Sequence, residues 1–364
     1  MTAVGADSPV AVERFRSDNL TVREIRGFSR DRLVVTFDSY THDRRPDRAG
    51  FGEAFFAGHS IDAVHVIPCG NDWYQYPEMP DAAALIGKIA APYTRVVSYG
   101  SSMGGYAAIR FGEAVGASAA LALSPQFSVD PAAVPFETRW RRDARHLDFS
   151  LERRWPAGFV ETSYIAFDPY TPDRGHVELF AGKTGIVPIR IANSGHPCTG
   201  YLAEIGLLQQ AALAVVHGDL DAEWLSREAR ERRKQSPQFY FALSSRARSS
   251  RSGAALARRA LELAPHHILG RAHYGKLLLQ LGEEAEAHRQ FARVREIAPG
   301  DPAMLEAVAE AYRLAGDFHR ACATFAELIE QVPVGRERFE RAFKRLRRQA
   351  RRKRLMFWRG GRAN

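Results

Sequence analysis

Residues 96–108 read VVSYGSSMGGYAA, and this stretch decides the fold of the first half of the chain. β-Branched and aromatic residues open it and alanines close it, which predicts a buried strand that passes directly into a helix. The pattern G-x-S-x-G lies between the two elements, with Ser102 at its centre. Gly100 and Gly104 suit such a turn because a Cβ atom there would collide with the neighbouring strand or helix. The stretch therefore predicts a serine hydroxyl at the edge of a sheet, with the N-terminal amides of the helix aimed at it.

The composition is that of an ordinary globular protein. The 364 residues favour two domains, and 45% of them are hydrophobic and 26% charged. The three cysteines, Cys69, Cys198 and Cys322, form no C-x-x-C pair, which argues against a disulfide framework or a zinc ribbon. The first residues lack the basic-then-apolar order of a signal peptide, and no apolar run has the length of a membrane span. These features predict a cytoplasmic protein.

The positive charge of the chain is concentrated at its C-terminal end. Residues 336–364 hold 13 Lys and Arg against two acidic residues, a net charge of +11, whereas the whole chain carries +9. The rest of the chain is therefore close to neutral. A basic surface over the body of the protein is not expected, which argues against nucleic acid as a partner.

Strands and helices alternate along the first 216 residues. Helical patterns near 53–56, 81–90 and 207–216 separate apolar runs that predict strands at 11–15, 22–28, 33–37, 63–68, 119–124, 163–168 and 187–193, in addition to the strand that begins at Val96. This alternation predicts a mainly parallel sheet covered by helices. Residues 126–156 break the rhythm with prolines, arginines and tryptophans, and we consider two interpretations of them, a lid that faces the substrate and an irregular surface connection.

The second half of the chain repeats itself. A spacing of 34 residues separates Pro265, Pro299 and Pro333, and it also separates Gly282 from Gly316, Ala287 from Ala321 and Phe291 from Phe325. This period resembles the tetratricopeptide repeat (TPR), a helix-turn-helix unit, with Gly275 and Tyr312 at its small and aromatic positions. The resemblance predicts repeats at about 234–267, 268–301 and 302–335, which together would bind a protein or peptide partner.

The basic tail has an apolar stripe. Phe339, Phe343, Leu346 and Ala350 fall on one face of a helical pattern whose other face is almost entirely Arg and Lys. One interpretation is a helix that caps the repeat stack. The other is a helix that binds an anionic membrane surface, assisted by the apolar residues 355–358, which would make the protein peripheral to the membrane.

A serine hydroxyl needs a base to take its proton and an acid to orient that base. The strand predicted at 163–168 ends in Asp168, and the strand at 187–193 leads into a loop that holds His196. Asp173 is the alternative acid, because it lies five residues beyond the strand end, where a role as a helix cap is equally open to it. His176 is the alternative base, although the start of a helix explains it as well.

With these residues in the order Ser, Asp, His, residues 20–215 resemble the α/β-hydrolase superfamily, and the segment 99–106 looks like the elbow of small bacterial serine esterases. The resemblance implies a three-layer α/β sandwich and a hydrolase that needs no metal or organic cofactor. It implies Ser102 as nucleophile, His196 as base and Asp168 as acid. It also implies the Met103 N–H as the first oxyanion donor, with the second from the loop that holds Asp38 and Ser39, where the His-Gly pattern of lipases is absent.

These arguments divide the chain into an α/β-hydrolase domain at 1–217, a helical connector at 218–235, TPR-like repeats at 236–335 and a basic amphipathic tail at 336–364. Trp73, Tyr74 and Trp140 are the candidate substrate-binding residues, because aromatic side chains next to the site can line a pocket for a small-molecule or carbohydrate ester. Three functions fit the pattern: an ester hydrolase, an acyltransferase with the same triad, and a catalytically silent scaffold of hydrolase fold.

Overall fold

A computed structural model describes residues 9–28, 31–41, 43–154, 160–182, 185–331, 336 and 339–349. The chain divides into two compact units, Met1–Arg233 and Lys234–Asn364. The first is a three-layer α/β sandwich of the α/β-hydrolase fold, and the second is an all-α unit of TPR-like helical repeats.

An eight-stranded sheet of order β1-β2-β4-β3-β5-β6-β7-β8 organises the first unit. Its strands are β1 (Val10–Arg16), β2 (Leu20–Arg26), β3 (Arg32–Phe37), β4 (Asp62–Pro68), β5 (Arg95–Ser101), β6 (Ala119–Leu123), β7 (Thr162–Phe167) and β8 (Ile186–Arg190). β1 pairs with β2 and β2 with β4 in antiparallel register, and the remaining pairs are parallel. The carboxyl ends of the parallel strands therefore meet at one edge, where each strand runs into a loop.

Helices cover both faces of this sheet, as the alternating sequence predicts. They are α1 (Glu53–Gly58), α2 (Met79–Ala90), α3 (Met103–Arg110), α4 (Arg141–Ala144), α5 (Ser150–Arg154), α6 (Asp173–Phe180), α7 (Cys198–Glu204), α8 (Leu208–His217) and α9 (Ala222–Arg232). Every residue of β3 and β5 after the first is buried, because both faces of these central strands are covered.

The elbow stretch occupies the middle of the sheet. β5 lies between β3 and β6 and passes directly into α3. A Cβ atom on Gly100 would lie 2.2 Å from the carbonyl oxygen of Gly104, and one on Gly104 would lie 2.1 Å from that of Phe37. Both glycines are thus required by close backbone approach, the first to the helix and the second to β3.

The segment 218–235, predicted as a connector, contains α9. This helix belongs to the first compact unit and packs against β8. Tyr201 on α7 donates a hydrogen bond of 2.5 Å from its hydroxyl to the carbonyl oxygen of Ala229 on α9. The compact unit consequently ends at Arg233, beyond the boundary of 217 that the sequence predicts.

Three helical pairs form the repeats of the second unit. They are α10 (Pro237–Ser245) with α11 (Ser250–Leu263), α12 (Ile268–Gln280) with α13 (Glu284–Ile297), and α14 (Pro302–Leu314) with α15 (Phe318–Gln331). Gly275 occupies the small position because its Cβ would lie 2.5 Å from the ring of Phe291, the aromatic of the same repeat. Phe291 and Phe325 are both buried in one apolar cluster, which explains their 34-residue spacing.

The described part of the tail, residues 339–349, is helical. Phe339 and Leu346 are buried in the apolar cluster of the repeats and Phe343 packs against it, so this part of the stripe lies on the repeat core. Ala350 and residues 355–358, which complete the predicted amphipathic pattern, lie outside the described residues, as do Pro333 and the end of the predicted 126–156 insertion.

Within the described segments, no single helix has the length and apolar character to cross a membrane. α7 and α8 meet those criteria only as a pair, with a bend of 102° between them.

Candidate active site

Ser102 lies at the junction of β5 and α3. Its backbone angles, φ 52° and ψ −115°, form a sharp turn in a conformation that residues with a side chain rarely adopt. The N–H of Ser102 donates to the carbonyl oxygen of Leu123 on β6 at 2.8 Å, which ties the turn to the neighbouring strand. A strained, hydrogen-bonded turn holds the hydroxyl at the carboxyl edge of the sheet, as a nucleophile elbow requires.

Three side chains form a hydrogen-bonded series at this edge. The Oγ of Ser102 lies 3.0 Å from Nε2 of His196, and Nδ1 of His196 lies 2.9 Å from Oδ2 of Asp173. Ser102 is 4% exposed, the His196 side chain 11% and the Asp173 side chain 0%, so the series is shielded from solvent. With the His196 proton on Nδ1, donated to Asp173, Nε2 is free to accept the serine proton.

Asp168, the acid that the strand-end rule favours, is placed differently. Its carboxylate accepts the backbone N–H groups of Tyr170 at 3.0 Å, Asn193 at 3.1 Å and Gly195 at 2.8 Å. Two of these donors belong to the loop that holds His196. The structure therefore corrects the preferred acid: Asp168 shapes the histidine loop, and the alternative, Asp173, contacts the imidazole.

Asp173 is the first residue of α6 and is paired on its other side with an arginine. Nη2 of Arg139 lies 2.8 Å from Oδ1 of Asp173 and 2.6 Å from Oε2 of Glu137. Burial raises the pKa of Asp173, but the hydrogen bond from His196 and the charge of Arg139 outweigh this effect and lower it below its ordinary value. Asp173 is therefore held as a carboxylate.

Glu137 continues this network to His176, the alternative base. Nε2 of His176 donates to Glu137 at 3.0 Å, because Nδ1 accepts the N–H of Phe127 at 3.1 Å. Burial raises the pKa of Glu137, but the bonds from His176 and Arg139 lower it to about 2. His176 is completely buried and supports the ion pairs behind Asp173, whereas His196 contacts the serine.

The predicted oxyanion residues fall into two groups. Met103 is the first residue of α3, where N–H groups have no partner within the helix. Its backbone N–H is therefore suited to donate the first hydrogen bond to the oxyanion. The N–H of Asp38, by contrast, donates to the carbonyl oxygen of Val66 at 3.4 Å. Ser39 follows on the same loop and is half-buried, and it keeps the role of candidate donor.

Asp38 has an anchoring role. Its carboxylate accepts the N–H of Phe51 at 2.7 Å and a guanidinium N–H of Arg48 at 2.8 Å. Burial raises the pKa of Asp38 to about 6 against the opposing effect of Arg48. We correct its assignment from an oxyanion donor to the residue that holds the loop after β3.

The aromatic residues proposed for substrate binding are also separated by the structure. Trp140, in the predicted insertion, is half-buried, and its ring centroid lies 6.0 Å from His196, 5.4 Å from Tyr40 and 5.3 Å from Trp73. Trp73 and Tyr74 are completely buried, and the hydroxyl of Tyr74 donates to the carbonyl oxygen of Asp38 at 2.9 Å. Trp140 alone of the three presents surface to a ligand, and Trp73 and Tyr74 are corrected to buried walls of the site.

Gln126 is a site residue that the sequence argument missed. It lies three residues beyond the end of β6, is completely buried, and its Nε2 donates to Oγ of Ser102 at 3.3 Å. The available signal was its place after a strand adjacent to β5, where loops gather at the carboxyl edge. Within the described part of the chain, no group of three or more His, Cys, Asp or Glu side chains is arranged to hold a metal ion.

A scan against protein-family models and a search of curated proteins found no match. Among solved structures, the chain is similar to brefeldin A esterase, a bacterial homologue of human hormone-sensitive lipase, at 18% identity, covering 62% of this chain and 77% of that one (TM-score 0.38). It is also similar to the glycosylation-associated protein complex Gap123 of Streptococcus agalactiae at 14% identity, covering 56% of this chain and 46% of that one (TM-score 0.43). MamA is similar over 34% of this chain and 76% of its own, at 20% identity (TM-score 0.23). These similarities concern the fold alone.

Proposed function

We propose that the chain is a serine hydrolase that cleaves carboxylic esters through an acyl-enzyme on Ser102. The observation that carries the proposal is the series Ser102–His196–Asp173, with distances of 3.0 and 2.9 Å, on a turn of nucleophile-elbow geometry. Each member is positioned by a separate part of the sheet edge, at the ends of β5, β8 and β7. The resemblance of the segment 99–106 to the elbow of small bacterial serine esterases supports the same reaction.

In the proposed reaction, Oγ of Ser102 attacks the ester carbonyl carbon while its proton passes to Nε2 of His196. The carbonyl π electrons move to the oxygen, and the Met103 N–H stabilises the resulting oxyanion. The C–O bond to the alcohol then breaks, and His196 gives its proton to the leaving oxygen. Water then attacks the acyl carbon while His196 takes its proton, and the bond to Oγ breaks as His196 returns a proton to Ser102, which releases the carboxylic acid. Asp173 remains ionised and orients the imidazole throughout.

Labelling with a fluorophosphonate tests the proposal. We expect the wild type to be labelled and Ser102→Ala not to be, because the reagent needs an activated serine. Ser101→Ala is the matched control, since the Ser101 hydroxyl lies 2.6 Å from that of Thr199 and outside the series. Absence of wild-type labelling, or equal labelling of Ser102→Ala, would contradict the proposal.

The substrate of the proposal is a small-molecule or carbohydrate ester. Trp140 supports it, because a half-buried indole beside His196 offers a flat apolar face, and its buried Nε1 has no hydrogen-bond partner among the described residues. p-Nitrophenyl esters of increasing acyl length and acetylated sugars, compared by kcat/KM, test this part. A preference for long acyl chains with no turnover of acetyl esters would contradict it.

Acyl transfer is the second candidate, favoured by the shielding of Ser102. With 4% of the residue exposed, water has limited access to an acyl-enzyme, and a bound acceptor would compete with it effectively. Turnover of p-nitrophenyl acetate with and without free sugars separates the two reactions. Acetylated sugar would support transfer, and unchanged release of acetate would support hydrolysis.

For the second unit we propose a protein or peptide partner bound by the repeats, and for the basic tail an anionic membrane surface. The stacked helical pairs support the first, and the net charge of residues 336–364 supports the second. Co-sedimentation with phosphatidylserine vesicles, at low and high salt, tests the membrane part. Equal binding to neutral vesicles would contradict it.

A further inference from the structure

We propose that Gln126 is a catalytic residue whose side-chain amide stabilises negative charge at the reacting centre. This inference rests on the proposed function and adds to it a donor that the elbow pattern does not predict. Nε2 of Gln126 lies 3.3 Å from Oγ of Ser102, so the amide touches the atom that attacks the substrate.

Trp73 fixes the orientation of this amide. Its Nε1 lies 3.0 Å from Oε1 of Gln126, and an indole nitrogen can only donate a hydrogen bond. The oxygen of Gln126 must therefore face Trp73, and its NH₂ group must face Ser102. Both side chains are completely buried, and Tyr40 and Trp140 pack against the indole, so the pair is held in place before substrate arrives.

The hydrogen bonds of the site then run in a single direction. Trp73 donates to Gln126, Gln126 to Ser102, Ser102 to His196, and His196 to Asp173. Each donor in such a chain is polarised by the bond that precedes it. A donor on Oγ favours the charge that develops there as the serine proton leaves, and a neutral amide does so without competing for the proton.

The inference extends to the tetrahedral intermediate. The oxyanion and Oγ are then bonded to one carbon atom, and we include in the proposal that the Gln126 N–H donates to this oxyanion as well. The Asp38 amide, one of the two predicted second donors, is already bonded to Val66. Side-chain amides serve as oxyanion donors in other hydrolases, which gives Gln126 a chemical precedent.

The rate of labelling by a fluorophosphonate measures this effect without knowledge of the natural substrate. We expect Gln126→Leu to lower the second-order labelling rate by about 100-fold, the usual effect of removing one oxyanion donor. Gln126→Glu should lose at least the same factor, because the carboxylate still accepts from Trp73 but has no N–H for Ser102 and places a negative charge beside its Oγ. Trp73→Phe should lose about tenfold, since it frees the amide to rotate.

Gln75→Leu is the matched control. Gln75 is a glutamine of the same region whose Nε2 donates to Tyr106 at 2.8 Å and to the carbonyl oxygen of Trp73 at 3.1 Å. We expect its labelling rate to stay within about twofold of the wild type, because the hydrogen bonds that Gln75→Leu removes, including the one that Gln75 accepts from the N–H of Glu152, do not involve Ser102, His196 or the side chain of Gln126. Thermal unfolding of each variant identifies one that fails to fold, and Gln126→Glu, which keeps the shape and the Trp73 bond, decides the question if Gln126→Leu does not fold.

Labelling of Gln126→Glu at the wild-type rate would overturn the inference and leave the proposed function intact. Absence of labelling in the wild type would instead reject the proposed function, and the role of Gln126 with it. A loss in Gln126→Glu that Gln75→Leu shares equally would show a structural effect of the region and would also overturn the inference.

Discussion

The charge on Asp173 depends on residues that do not touch the substrate. Burial disfavours that charge, and the charge persists because His196 is hydrogen-bonded to Oδ2 and the positive charge of Arg139 lies against Oδ1. Glu137 holds Arg139 in position, and His176 holds Glu137. The acid of the proposed triad is therefore part of a buried network that reaches into the 126–154 segment.

Substitution of each aspartate by asparagine distinguishes the residue that orients His196 from the residue that supports its loop. We expect Asp173→Asn to lower kcat by about 10³- to 10⁴-fold, because the amide stabilises neither the tautomer nor the imidazolium. Asp168→Asn should instead lower the free energy of unfolding by about 1–3 kcal/mol through the lost bonds to the loop amides, with at most a tenfold loss of kcat. Kinetics on p-nitrophenyl acetate and urea denaturation measure both. The reverse order of effects would restore Asp168 as the acid.

Glu137 gives the fold a defined pH dependence. Its pKa, about 2 in the folded protein against an ordinary 4.5, makes it stabilising above pH 4.5, and this stabilisation is lost as the pH falls towards 2. We expect Glu137→Gln to cost about 3 kcal/mol at pH 7 and progressively less between pH 4.5 and 2. Denaturation followed by tryptophan fluorescence at several pH values checks this. A cost that does not change with pH would count against the ion-pair network.

Substitution of Arg139 tests whether the insertion acts on the proposed triad. In Arg139→Met the pKa of Asp173 rises because a neighbouring positive charge is gone. As the pH is lowered, the variant should therefore lose activity at a higher pH than the wild type does. Its kcat should also be about tenfold lower. The groups around Asp173 and Arg139 in this comparison are His196, Glu137 and, beyond it, His176. Arg141→Met, on the same insertion and exposed, should leave the pH profile unchanged. Identical profiles for both variants would contradict a role for Arg139.

At this scale the sequence allowed Ser102 and His196 to be selected, because the order of the residues and the strand ends constrain both. The choice between Asp168 and Asp173 depends on side-chain direction after a five-residue turn, which no local pattern specifies. Gln126 and Arg139 act through partners more than 20 residues away in the chain, Trp73 and Asp173, and such pairings exist only in the folded sheet.

At the scale of the elements, the junction of β5 and α3 is the least tolerant part of the fold. We expect Gly104→Ala to cost about 3 kcal/mol or more and to abolish activity, because the new Cβ meets the Phe37 carbonyl at 2.1 Å and the backbone of β3 must shift. Gly58→Ala is the control, since no atom lies within 4 Å of its Cβ at the end of α1. Its unfolding free energy should change by less than about 1 kcal/mol. Thermal denaturation of Gly104→Ala and Gly58→Ala measures both effects. Equal stability of the two variants would contradict the close backbone approach at the junction of β5 and α3.

Strands and helices were predicted with ends within about three residues, because both-face burial in a parallel sheet produces strong apolar runs. For residues 126–156 the sequence allows both a lid and a surface connection, since short helices with few apolar residues show little periodicity. The contacts of this segment answer the question at two residues: Arg139 lies against Asp173 and Trp140 against His196.

At the scale of the whole molecule, the proposed active site lies entirely in the first compact unit. A chain that ends at Arg233 should therefore retain fluorophosphonate labelling at close to the full-length rate. One that ends at His217 lacks α9, and with it the contact to β8 and the Tyr201–Ala229 bond, so it should be less stable by several kcal/mol. Labelling and thermal unfolding of the two truncated chains make the test. Equal behaviour would return the domain boundary to 217.

The two halves were predicted on different grounds. A 34-residue period identifies the repeats because a small residue such as Gly275 must sit against an aromatic such as Phe291. The repeats are predicted to begin at about 234, where the second unit does begin, but the sequence sets the segment 218–235 apart as a connector, since α9 is strongly charged and its few buried residues, Leu225 and Ala229, give no clear apolar face.

The central claim is that Ser102 carries an acyl group during turnover. Its most direct measurement is acid quenching of the full chain during reaction with p-nitrophenyl acetate, followed by peptide mass mapping. We predict one acetyl group on the peptide that contains Ser102, present in Ser101→Ala and absent in Ser102→Ala. Turnover without an acetylated peptide, or an acetyl group that persists in Ser102→Ala, would contradict the claim.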